Sequence, residues 1–306
     1  MTDAVAREGV YGSPPAELAR PGPGAVQLSP LIPGAAALED LARDALDLIT
    51  IAAPAGTLER RYVLARALRV LAPGGRLIAL APRDKGGARI RADLEAFGCA
   101  VQETSKRHQR ICATLRPEHP AGLEAAIAAG APQAAAGLGL WSQPGVFSWD
   151  RIDPGSALLA QTFPALTGAG ADLGCGVGYL AHKVLAGAKV TSLALIDIDR
   201  RAVEAARRNV EDPRATFAWA DLRLVDSMPE GLDFVVMNPP FHDGGAEDKA
   251  LGQAFIRGAA RMLRKGGRCW LVANRHLPYE AVLTEAFASA TSRADIGGYK
   301  VYEAVR

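Results

Sequence analysis

One stretch of this chain occurs twice. Ala67–Ala81 aligns without a gap with Ala259–Ala273, matching Arg69 with Arg261, Leu71 with Leu263, and Gly74-Gly75-Arg76 with Gly266-Gly267-Arg268. Each copy reads as the end of a helix, a glycine turn and an apolar strand. The strand ends upstream correspond as well, with Ile51-Ala52-Ala53-Pro54 standing where Met237-Asn238-Pro239-Pro240 stands. A chain built this way is expected to fold as two related α/β layers. The first copy corresponds to the back half of the fold, with the Asn and one Pro gone, and its front is too short for a full nucleotide-binding half. One copy keeps the polar chemistry and the other does not.

From Ala169 onward the pattern alternates strand and helix, which implies a doubly wound, mostly parallel sheet. Strands are expected at Ala169–Leu173, Thr191–Ile196, Thr216–Trp219, Asp233–Met237 and Arg268–Val272, with helices between them and an alternating edge strand at Tyr299–Val305. Asp153-Pro154 reads as a helix cap and first turn. Residues 1–35, crowded with Pro and Gly, read as an extended lead-in with few regular elements. The domains expected are residues 1–135, a degenerate copy with an RNA-binding or structural role, and residues 136–306, a catalytic domain. The aromatic run Trp141–Trp149 suits either a lid over a site or an opening hairpin.

Composition excludes several classes. The 306 residues are 49% hydrophobic and 22% charged, ordinary for a globular protein of two domains. No run of about 18 uncharged apolar residues is present, and Met1–Arg20 has no apolar secretory core, so a cytoplasmic protein is expected. Cys99, Cys112, Cys175 and Cys269 show no paired spacing and read as buried thiols, with no metal site. The net charge of +2 conceals a gradient. Residues 60–116 hold thirteen basic and four acidic groups, from Arg60-Arg61 to Arg110 and Arg116. Arginine of this density suits phosphate recognition, although a solvated basic face would look the same.

The second copy carries a constellation. Asp172-Leu173-Gly174-Cys175-Gly176-Val177-Gly178 follows a strand and opens a helix, the setting of a glycine-rich nucleotide loop. A dinucleotide fingerprint would place its third Gly at Tyr179, and Asp172 suits a cationic ammonium group better than a pyrophosphate. S-adenosylmethionine fits that pattern better than NAD. Asp197, ending the second strand, can accept both ribose hydroxyls, and Asp221, ending the third, can accept from the adenine amine. The fourth strand ends in Asn238-Pro239-Pro240-Phe241. An Asn oxygen, carbonyls left without a neighbouring donor by the prolines, and an aromatic face suit a flat molecule bearing an exocyclic amine. His242 and Asp243 read as loop-shaping.

These motifs resemble the class I S-adenosylmethionine-dependent methyltransferases, and among them the ribosomal RNA small subunit methyltransferase C family. The resemblance runs through Pro144–Ser148, Asp172–Gly178, Asn238–Gly244, Ile256–Ala259, Val272–Asn274, Leu277–Tyr279 and Lys300–Tyr302. It implies a Rossmann-like fold duplicated with a degenerate amino-terminal copy, and methylation of a guanine N2 amine in 16S ribosomal RNA. It also implies S-adenosylmethionine as cofactor, and ribosomal RNA or the small subunit as partner of a monomer. Asn238, Pro239 and Phe241 would be catalytic, and Asp172, Gly174, Gly176, Gly178, Asp197, Asp221 and Asn238 would hold the cofactor. The alternatives are a guanine in large-subunit RNA, another planar amine or amide (adenine N6 or a glutamine side chain), and a non-catalytic RNA-binding or ribosome-assembly role.

Overall fold

The computed structural model describes residues 7–224, 228–240, 242–243, 246–247 and 249–306, with the side chains of 241–249 outside that description. Contacts divide the chain into two units, residues 1–132 and 133–306. The division falls three residues before the expected one because Gln133–Ala135 pairs with Leu140–Ser142 in a hairpin of the second unit.

The first unit contains β1 (Glu8–Tyr11), β2 (Val26–Gln27), β3 (Leu46–Ala52), α1 (Thr57–Val70), β4 (Leu71–Pro82), α2 (Ala88–Glu95), β5 (Gln102–Lys106), β6 (Gln109–Leu115) and α3 (Leu123–Gly130). Its six-stranded sheet has the order β2-β1-β3-β4-β6-β5. A single core packs Ile49, Ile51, Leu64, Leu68 and Leu77 against Ile90, Leu94 and Phe97. The lead-in is therefore more regular than expected, since β1 pairs with β3 inside the sheet.

The second unit contains β7 (Gln133–Ala135), β8 (Leu140–Ser142), α4 (Pro154–Thr162), β9 (Gly168–Leu173), α5 (Tyr179–Leu185), β10 (Val190–Asp197), α6 (Arg200–Asn209), β11 (Ala215–Trp219) and β12 (Leu232–Met237). There follow β13 (His242–Asp243), β14 (Ala246–Glu247), α7 (Lys249–Met262), β15 (Leu263–Asn274), α8 (Glu280–Ala286), β16 (Ser289–Ile296) and β17 (Tyr299–Val305). The seven-stranded sheet runs β11-β10-β9-β12-β15-β17-β16, parallel up to β15. Tyr299–Val305 is not the edge strand expected. It lies between β15 and β16, antiparallel to both, and the polar, exposed Ser289–Ile296 takes the edge. All four cysteines are buried. Among the described residues, no helix is long and apolar enough to cross a membrane.

The two sheets correspond in strand order, except that the first lacks a counterpart of β11. The repeat extends to backbone detail at several positions. Gly74 and Gly266 share a left-handed conformation, at φ 75° and 78°. In both copies the first glycine N–H donates to an arginine carbonyl, Arg116 or Arg306, whose own N–H donates back to the second glycine. A Cβ on Gly75 or Gly267 would stand 2.8 Å from a backbone oxygen, so both positions demand glycine. Asp47 and Asp233 likewise take the backbone N–H that opens the neighbouring strand, from Arg7 and Ala169.

Candidate active site

In a parallel sheet whose strand order reverses, ligands bind beyond the carboxyl ends of the strands at the reversal. Here that place lies between β9, β10 and β12. The loop after β9 folds back on β10, with the N–H groups of Gly174 and Cys175 donating to the Ile196 carbonyl at 2.8 and 3.1 Å. Gly176 has φ 52° and open space where a Cβ would stand, and a Cβ on Gly178, at φ 89°, would press on Val210 at 2.8 Å. The loop is thereby held close to the sheet with an unobstructed face. Asn209, at the end of α6, fastens it from outside by donating to the carbonyls of Val177 and Trp141 and accepting from the Trp141 N–H. Trp141 belongs to the hairpin, as one of the two readings had it, while Phe147 and Ser148 further on line the cavity described below.

Asp172 lies in the last turn of pleat of β9 rather than in the loop, and its side chain is fully buried. Neither carboxylate oxygen has a well-formed hydrogen bond, the backbone N–H of Ala181 giving only a weak pull against the effect of burial. Burial, reinforced by the charge of Asp197, pushes its pKa up to about 8. A buried acid without a well-formed hydrogen bond is costly, and a cation of the ligand is what would relieve it. This orphaned carboxylate, next to a bare glycine loop, fits a positively charged nucleoside.

Asn238 ends β12 half-buried, with Pro239 buried behind it. Its side-chain Nδ2 donates to Asp153 Oδ2 at 2.8 Å and to Ser156 Oγ at 2.9 Å. A carboxylate only accepts, so the amide nitrogen must face Asp153 and the amide oxygen must point the other way. Asp153 also caps α4, accepting from the Ser156 N–H at 2.7 Å. The sequence reading found the cap but not its hold on Asn238. Asn238, Asp153, Ser156, Gly174, Gly176 and Phe147 line one small cavity of about 50 Å³. Two larger concavities, about 570 and 400 Å³, are lined by residues of the first unit. Phe241 and the side chains of His242 and Asp243 lie outside the described residues.

The two remaining acids differ. Asp197 accepts from the N–H groups of Gly176 and Asp199 at 2.8 and 2.9 Å, which leaves lone pairs on both oxygens. Burial raises its pKa to about 6. Asp221 follows β11 as expected, but Arg223 forks onto its carboxylate, with the shortest contact at 2.6 Å, and holds its pKa low. Like Asp172 and Asp197, it is not among the residues lining the cavity.

Register shows what the first unit has lost. Val10, Ser29 and Ala52 occupy the positions of Asp172, Asp197 and Asn238. Gly12, at φ 75°, remains where Gly174 stands, and Ser29 Oγ still accepts from the N–H two residues on, as Asp197 does. Arg60 closes the end of β3. It is 1% exposed, bonds Asp93 at 2.8 Å and donates to the Ala55 carbonyl. The expectation that the basic block from Arg60 onward faces a nucleic acid is thus corrected at its first residue. Arg61 is also turned to Asp93, at 3.0 Å.

Residues 137–303 match the family model described as methyltransferase small domain. Among curated proteins, the chain is similar to ribosomal RNA small subunit methyltransferase C of Klebsiella pneumoniae, 38% identical over 163 residues that make 53% of this chain and 48% of the relative. The protein of the same name in Salmonella newport is 36% identical over 55% of this chain and 50% of its own length. The chain spans about half the length of these relatives. Among solved structures, it is similar to the T. thermophilus 16S rRNA N2 G1207 methyltransferase in complex with AdoMet and guanosine. That match has a TM-score of 0.78 and 26% identity, and covers 100% of this chain and 90% of the other. A family model spanning more than half the chain coincides with the unit that holds the glycine loop, the orphaned acid and the oriented asparagine, and the chain belongs to the methyltransferase small domain family.

Proposed function

We propose that this chain transfers a methyl group from S-adenosylmethionine to the exocyclic N2 amine of a guanine in small-subunit (16S) ribosomal RNA, acting as a monomer in the cytoplasm. The observation that carries the reading is the fixed orientation of Asn238, whose amide oxygen is presented as an acceptor beside the glycine loop. Asp172 would receive the cationic end of the cofactor, Gly174, Gly176 and Gly178 would let it approach the backbone, and Asp197 would accept its ribose hydroxyls. Asp221 serves the adenine amine once Arg223 releases it. When bound, the cofactor supplies a methyl group on a sulfonium, an electrophile that needs only an aligned nucleophile.

Alignment is the part that this chain contributes. Guanine N2 is a weak nucleophile because its lone pair is delocalised into the ring. Acceptance of its two N–H bonds by the Asn238 side-chain oxygen and by the carbonyl of Asn238 or Pro239 favours a pyramidal nitrogen with its lone pair exposed. Phe241 would stack on the base, a contact worth roughly 1–3 kcal/mol, and the base must be unpaired or flipped to enter. The first unit, 1–135 as first divided, serves to hold the RNA or to support the fold. The similarity to the small-subunit enzymes favours 16S RNA over a large-subunit guanine.

Asn238→Ala tests the mechanism. Methyl transfer should fall at least a hundredfold while S-adenosylmethionine still binds in a calorimetric titration. Retained turnover would contradict the role given to Asn238.

A further inference from the structure

The two copies end in equivalent hairpins whose turns differ. In the second unit the turn between β16 and β17 is Gly297-Gly298, at φ 61° and 86°, residues that adopt the left-handed region without strain. In the first unit the corresponding turn between β5 and β6 is Arg107-His108, at φ 50° and 62°. Two side-chain-bearing residues are thus held where the same fold elsewhere uses glycine, a form of strain that concentrates at functional positions. The turn is locked by the Arg83 N–H, which donates to the His108 carbonyl at 3.1 Å.

The turn forms one wall of a concavity of about 570 Å³. Arg83, Lys106, Arg107 and Arg110 line it, with His108 and a single acid, Asp84. Arg83, Lys106, Arg107 and His108 are exposed. Arg107 shares a solvent-exposed pair with Glu17, and Arg110 donates to Glu103 and Ser105. The exposed Arg107–Glu17 pair is of a kind that is weak and exchanges readily for phosphate, while the Arg110–Glu103 pair is half-buried. The contrast is with the block's inner arginines, Arg60 and Arg61, which are spent on Asp93.

We infer that this groove, walled by the Arg107-His108 turn and the Arg83 loop, binds the phosphodiester backbone of single-stranded RNA. The inference rests on the reading of RNA as the substrate and places its contact on the first unit. The planar guanidinium groups of Arg83, Arg107 and Arg110 suit phosphate oxygens, and a backbone site needs no base readout.

The test uses the full chain and a labelled single-stranded RNA oligonucleotide. One variant carries Arg83→Ala, Lys106→Ala, Arg107→Gly and His108→Gly, the last two restoring the glycine turn of the other hairpin, so that folding is not impaired. A control carries Arg43→Ala and Arg69→Ala, exposed or partly exposed cations of the same unit already paired with Glu124. Three cations removed from the groove should weaken RNA binding on the order of tenfold or more. They should also lower the slope of log affinity against log salt by about 2, while the control changes little. In methyl transfer to the same RNA, KM should rise with kcat unchanged. Undiminished RNA affinity in the groove variant, an equal loss in the control, or no RNA binding by the unaltered chain would overturn the groove. Loss of binding by the groove variant alone, in a chain that transfers no methyl group, would support the groove and refute the proposed activity.

Discussion

At the scale of single residues, the site combines one acid that is costly until a ligand arrives with an asparagine that is already held in place. Asp172 is fully buried without a well-formed hydrogen bond, and its pKa is raised from 3.8 to about 8. For an acid whose folded-state value is raised, the fold prefers the protonated form. Stability is therefore greatest below pH 3.8 as far as this group is concerned and is lost as the pH climbs toward 8. Asp172→Asn should raise stability by roughly 2–4 kcal/mol at pH 8 and abolish S-adenosylmethionine binding, as read by thermal melts with and without cofactor. A destabilised variant that still binds would refute this account of Asp172. The clamp on Asn238 gives a second expectation. Ser156→Ala combined with Asp153→Ser removes the Ser156 acceptor and draws the acceptor at 153 back by one atom, while keeping a capping hydroxyl on α4. Turnover should fall about tenfold or more with unchanged cofactor affinity, and Ser156→Thr alone should retain activity. A shift in cofactor affinity without a change in kcat would place these residues elsewhere in the mechanism.

At the scale of elements, the register of β9, β10 and β12 brings Asp172, Asp197 and Asn238 to one end of the sheet, and α6 holds the loop in place through Asn209. Asn209→Ala strips three hydrogen bonds that join β8, α6 and the loop. A loss of roughly 1–3 kcal/mol is expected, with weaker cofactor binding, and an unchanged melting temperature would contradict it. The glycine loop, the apolar run of β12 and Asn238 were legible in the sequence because each is a local pattern. Asp153 with Asn238, and Trp141 with Asn209, were not, because those partners stand 85 and 68 residues apart. Of the strands that escaped, β1 and β16 did so for different reasons. β1 is four residues in a Pro- and Gly-rich lead-in, and only its pairing with β3 makes it a strand. β16 is almost wholly exposed and so shows no alternation of apolar and polar residues. Once β16 is in place, β17 cannot be the edge.

At the scale of the whole molecule, one fold occurs twice with opposite fates. The second copy retains Asp172, Asp197 and Asn238. The first has Val10, Ser29 and Ala52 at those positions and fills the end of β3 with Arg60. Its basic stretch of +9 over residues 60–116 turns Arg60 and Arg61 onto Asp93, and the groove proposed above draws on residues further along it. The central claim is that the second copy methylates guanine N2 in small-subunit RNA. The most direct test is transfer of label from S-adenosylmethionine to small ribosomal subunits and to naked ribosomal RNAs from a strain lacking the protein, followed by nucleoside analysis. Label in N2-methylguanosine of small-subunit RNA is the result expected. Label in large-subunit RNA, in another nucleoside, or in none while the cofactor still binds would contradict it.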